Sequence, residues 1–77
     1  SFYLNYEEEN LKSIPDFIFE LKNLKKLIIN DEELVSIPEQ ISNLSKLEFL
    51  DLSNNKISNI PIQLTSLTNL KHMYASY

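Results

Sequence analysis

The side chains best suited to chemistry in this 77-residue chain are its one histidine, His72, and the acids and hydroxyls that a fold could gather round it. With Asp51 and either Ser53 or Ser76 beside it, His72 would supply the acid, imidazole and hydroxyl types of a nucleophilic site. With carboxylates alone it could contribute to a metal site. Neither reading has a second support. The chain has no further His, no Cys and no Gly, so thiolate metal sites, disulfides, phosphate-cradling loops and dinucleotide-binding turns are all excluded. The residues therefore point to a surface histidine, to no catalytic or metal-ligating residue, to no cofactor and to a protein that is not an enzyme.

Charge is the second source of chemistry. Two acidic runs, Glu7, Glu8, Glu9 and Asp31, Glu32, Glu33, hold six of the eleven acidic residues of a chain with net charge −4 and pI near 4.8. The acidic patch expected from them is Glu7, Glu8, Asp31, Glu32 and Glu33. It could dock a basic partner or weakly hold a divalent cation through oxygen ligands. The plain alternative is a solvated loop face, and the Asp-x-Asp-x-Asp-Gly pattern of a dedicated calcium loop is missing. All seven basic residues are Lys, so bidentate phosphate recognition is not on offer and nucleic acid is not an expected partner. Apolar runs stop at three residues, as in 17–19 and 27–29, so nothing reads as a membrane span or a signal core. Compartment stays open, and a soluble cytoplasmic or secreted protein fits equally.

What must position these groups is visible when the chain is laid against itself at a period of 23 residues. Ile14, Ile37 and Ile60 are each followed by proline: Pro15, Pro38 and Pro61. Leu11, Leu34 and Ile57 precede them, and Ile18, Ile41 and Leu64 follow. Further columns are Leu21, Leu44, Leu67 and Leu24, Leu47, Leu70. Leu4, Leu27, Leu50, Met73 and Tyr6, Ile29, Leu52, Ala75 form two more, alternating at the period of a strand. Each turn thus reads as one short strand, an extended stretch to Ile-Pro, and a short helical return. Proline suits the first helical position, where its missing N–H is not needed, and Asp16 and Glu39 set negative charge at the helix start.

These residues resemble the leucine-rich repeats, whose signature is LxxLxLxxNxL: Leu47, Leu50, Leu52, Asn55 and Ile57 match it place by place. The extension LxxIPxxIxxLxxL, from Ile57 to Leu70, is similar to the 23-residue repeats of bacterial and plant intracellular members. The resemblance implies an α/β fold, a right-handed leucine-rich repeat solenoid with about four parallel strands on the concave face and short helical or 3-10 segments on the convex face. It implies one domain over 1–77, with turns at about 1–23, 24–46 and 47–69 and the start of a fourth at 70–77. The start at Ser1 rather than Met adds the expectation of a segment from a longer protein.

In that family the asparagine after the strand satisfies backbone groups of the turn. Only Asn55 keeps it; Glu9 and Glu32 stand in the matching places. Two carboxylates one strand spacing apart, about 5 Å, are costly to bury, so the expectation is that both swing toward solvent or that one is neutral. The first two turns should then be looser than the third.

The resemblance also implies a protein-interaction module that binds a macromolecular partner through outward-pointing strand residues. These are Tyr3, Lys26, Phe49, His72 in one column and Asn5, Ile28, Asp51, Tyr74 in the next, with Glu7, Asn30, Ser53 and Ser76 in a third. Phe49, Ile28, Tyr74 and Tyr3 are the anchors of an interface, and Lys26, Asp51 and His72 its polar rim. The competing origin of such a face is strand propensity and cross-strand packing alone. The competing function is a structural spacer or targeting segment of a longer, enzymatic or other repeat protein. Unpaired strand edges at both ends raise edge-to-edge self-association as a further partner.

Overall fold

The computed structural model describes residues 2–75. Its elements follow the repeat: β1 (Tyr3–Asn5), a 3-10 segment η1 (Asp16–Glu20), β2 (Lys26–Ile28), η2 (Glu39–Asn43), β3 (Phe49–Leu52), η3 (Ile62–Ser66) and β4 (His72–Ala75). The strands form one parallel sheet in sequence order, β1-β2-β3-β4. Each pairs with the next in the register of the repeat: Leu4 with Leu27, Leu27 with Leu50, Leu50 with Met73. A strand of three or four residues cannot bury a face alone, so each is stable only as part of the stack.

The return segments are 3-10 because their apolar residues recur every third place. In the first turn Ile18 N–H donates to Pro15 O, Leu21 N–H to Ile18 O and Leu24 N–H to Leu21 O, and the same ladder repeats in the next two turns. Three residues per turn keep Ile18, Leu21 and Leu24 on one side, which an α-helix of 3.6 residues would not. The prolines sit one place earlier than the sequence suggests. Pro15, Pro38 and Pro61 are the extended N-cap residues, with ψ of 142°, 159° and 149°, and the helical segment starts after them. Their carbonyls accept the first 3-10 bond, and their rigid φ aims the chain into it.

Between sheet and 3-10 layer lies a core in which Leu27, Leu50, Ile41, Leu44, Leu47 and Leu52 are fully buried. The end turns depart from this for lack of a neighbour. Leu21 is 39% exposed where Leu44 is fully buried, and Phe19 is drawn into the core of the first turn instead. At the other end Ile60 is 37% exposed, although Ile14 and Ile37 are at 4%. Among the described residues no helix is long and apolar enough to cross a membrane.

Candidate interaction face

In-register parallel pairing decides which side chains meet on the outer side of the sheet. The rows Tyr3, Lys26, Phe49, His72 and Asn5, Ile28, Asp51, Tyr74 are paired strand to strand as the period requires. Adjacent strands lie about 4.8 Å apart, so residues 23 apart in sequence become close neighbours.

The first row is a continuous stack. Lys26 Nζ lies 5.9 Å from the Tyr3 ring centroid and 4.7 Å from that of Phe49, so one ammonium is shared between two aromatic faces. Phe49 is in turn 5.9 Å from the His72 ring and 5.6 Å from that of Tyr74, both tilted by about 50°. Contacts of these kinds are worth about 0.5–1.5 kcal/mol each at partly exposed sites. They hold the side chains in place while leaving Tyr3 70% and Tyr74 51% exposed. Lys26 and His72 are therefore part of the aromatic row rather than a rim around it.

Asp51 bonds to Ser53 within its own turn. Its Oδ1 accepts from the Ser53 N–H at 3.0 Å and the Ser53 hydroxyl at 2.7 Å, closing the end of β3. Carboxylate and hydroxyl thus bond to each other, while the His72 imidazole packs on Phe49. Ile28 is half-buried beside Asp51, Asn5 is exposed, and Asn30 is half-buried just past β2. Ser76 lies outside the described residues.

The acidic runs meet at the opposite ends of the strands. Glu7, Glu8, Glu9, Asn10, Asp31 and Glu32 line an open depression of about 350 Å³. Glu33 lies beyond it, its N–H bonded to Leu11 O. Glu32 is half-buried, with Oε2 accepting from Glu8 N–H at 3.1 Å and Oε1 from Leu11 N–H at 3.3 Å. Glu9 is exposed. The expected outward swing thus holds for Glu9, whereas Glu32 stays in as a backbone acceptor. Among the described residues no group of three or more His, Cys, Asp or Glu is placed to hold a metal ion.

Several features of this edge were not read from the sequence. Tyr6, assigned to an inward column, is half-buried; its hydroxyl donates to Glu8 Oε1 at 3.0 Å and its ring meets Phe17 edge-on at 5.6 Å. The Glu8 hydrogen bond, reinforced by burial and by the Glu8 and Glu32 charges, raises the Tyr6 pKa above the usual 10.0. Asn10, Asp31 and Asn54 adopt left-handed backbone, with φ of 57°, 58° and 59°. In a chain without glycine, Asn and Asp are the residues that take this conformation most easily, and that composition was the available signal.

The family model described as leucine rich repeat matches residues 3–57 and, in an overlapping placement, 22–77. A solved leucine-rich repeat protein of Leptospira interrogans is similar over 97% of this chain, with TM-score 0.90 and 27% identity. The match covers 19% of that protein, so this chain spans about a fifth of its length. Among curated proteins nothing matches.

Proposed function

This chain belongs to the leucine-rich repeat family, and from that membership we propose a protein-interaction module that docks a protein partner on the outer face of its sheet. The observation that carries the reading is the aromatic and cationic row across all four strands, Tyr3, Lys26, Phe49, His72 and Tyr74. Preordered aromatics lose little side-chain freedom on binding, and such residues dominate interface energetics. Asn5, Ile28, Asn30, Asp51 and Ser53 complete the face. The role of this single domain, with turns at about 1–23, 24–46 and 47–69, is that of a scaffold without chemistry of its own. A spacer or targeting role inside a longer protein is the second reading, favoured by the one-fifth coverage of the Leptospira protein.

The test is retention of proteins from cell extract by the immobilised domain, by a Phe49→Asp/Tyr74→Asp variant and by a Glu7→Lys/Glu33→Lys variant, each first shown to be folded. Loss of a bound protein with the first variant alone supports the sheet face. Loss with the second alone moves the site to the acidic edge. Equal retention by all three favours the spacer.

A further inference from the structure

Lys26 is the only lysine in the paired outward rows of the sheet. It is half-buried, and its Nζ lies 5.9 Å from the Tyr3 ring centroid and 4.7 Å from that of Phe49. Among the described residues the ammonium makes no hydrogen bond and no ion pair. Two rings attract the charge, but neither is a good acceptor for its three N–H donors. The ammonium is thus held in place with its donors open to an anion, and a lysine held in this way has less freedom to lose on binding. Asp51, the acid of the neighbouring row, is engaged by Ser53 instead.

Charge changes sign along β2. Ahead of Lys26, Lys25 Nζ lies 5.3 Å from the Phe2 ring, whereas past the strand come Asn30 and Asp31, with Glu7 in the same outward column as Asn30. Between the two ends stands Ile28, half-buried and paired with Asn5 on one side and Asp51 on the other.

We infer that the partner presents an extended segment of the pattern acid-x-apolar-x-basic, laid along β2 in either direction with its carboxylate on Lys26. Strand geometry sets this spacing. Alternate residues of an extended chain share a face at about 6.6 Å intervals, which matches the steps from Lys26 to Ile28 and on to Asn30. The carboxylate meets the ammonium, the apolar side chain covers Ile28, and the basic group reaches Glu7. A run of acids would be repelled by Asp51 and Glu7, and a wholly basic segment by Lys26. The inference rests on the sheet-face reading and names the partner chemistry of that face.

The probe is the capped peptide Glu-Thr-Leu-Thr-Lys, compared with two forms in which Gln replaces either its Glu or its Lys. Titrated into the isotope-labelled chain, the parent peptide should shift the amide resonances of Lys26, Ile28 and Phe49 saturably. The form without Glu should bind about 3- to 10-fold more weakly, and the form without Lys about 2- to 5-fold more weakly. Lys26→Met keeps an apolar stem between the rings and removes the charge, so this variant should bind the parent peptide and the form without Glu alike. Lys26→Glu should reverse the preference and favour a Lys-Thr-Leu-Thr-Lys peptide over the parent. Equal binding of the parent peptide and either Gln form, an unchanged preference for Glu in Lys26→Met, or no saturable shift would overturn the inference. Retention of a protein that depends on Phe49 and Tyr74, found together with no preference for the acid, would keep the sheet face and remove only the assigned partner chemistry.

Discussion

The loops that leave β1 and β3 start from equivalent strands and end at equivalent buried residues, Leu11 and Ile57, but they solve the turn differently. After β3, Asn55 is buried and donates from Nδ2 to Ile29 O, Leu52 O and Ser53 O at 2.8, 2.9 and 3.2 Å while accepting from Leu34 N–H. One carboxamide there joins two strands and a turn, because it holds donor and acceptor on one short side chain. After β1 the matching Glu9 is exposed, and the adjoining acceptor is Glu32 from the next turn. A carboxylate keeps the acceptor half of the asparagine role and cannot supply the donor half. The backbone follows suit: Asp31 and Asn54 are left-handed 23 places apart, whereas in the first turn the left-handed residue is Asn10, two places beyond the equivalent Glu8. Glu8 is a poor left-handed residue, and Asn10 is the first Asn or Asp available after Tyr6. The lesson is that the apolar columns define the stack, and the small polar residues decide how tightly each loop is closed.

The largest effect should come from the shared part. Leu50→Ala, at a fully buried place, should cost about 2–5 kcal/mol, measured by urea unfolding. Leu4→Ala, half-buried at the end of the same column, should cost clearly less. Equal losses would mean that the end turn is as well packed as the middle one.

Asn55→Leu should cost about 1–3 kcal/mol, because buried backbone groups lose their partners, while Glu32→Leu in the half-open loop should cost less. If the two variants unfold at the same urea concentration, the contrast between the loops fails. Asn10→Ala should cost about 1 kcal/mol through its left-handed backbone, and Glu8→Ala should not show that backbone penalty. The reverse order would place the left-handed residue at Glu8, as in the other two turns.

The smallest effect is a titration. The raised Tyr6 pKa favours the protonated phenol in the folded state, so its contribution is present below the ordinary value of 10.0 and is lost as pH rises through the folded value. Glu8→Gln keeps an acceptor for the hydroxyl but removes the charge opposing tyrosinate, so tyrosinate absorbance should titrate at lower pH than in the parent chain. An unchanged titration would show that Glu8 does not govern Tyr6.

Much of the fold was legible in the 23-residue period, since inward columns, strand register and the Ile-Pro corners all repeat without insertion. The pairing of Tyr3, Lys26, Phe49 and His72 followed from the same period. What did not follow was any property of a residue that depends on its having a neighbour on both sides. Leu21 and Ile60 belong to core columns by type, yet both are uncovered at the ends of the stack, and Phe19 fills a place that Ser42 and Thr65 leave polar in later turns. The outward swing of Glu9 and the retention of Glu32 likewise depended on which amides lay within reach.

Periodicity alone determined the solenoid, because burying a Leu at every equivalent place requires identical turns to stack in one register. Only the tertiary structure decided that Lys26 lies between two rings and that Asp51 bonds Ser53 while His72 packs on Phe49. Those outcomes turn on hydrogen-bond and ring geometry between residues far apart in sequence. A repeat pattern records which residue types face one another, but not which of the available partners each polar group takes.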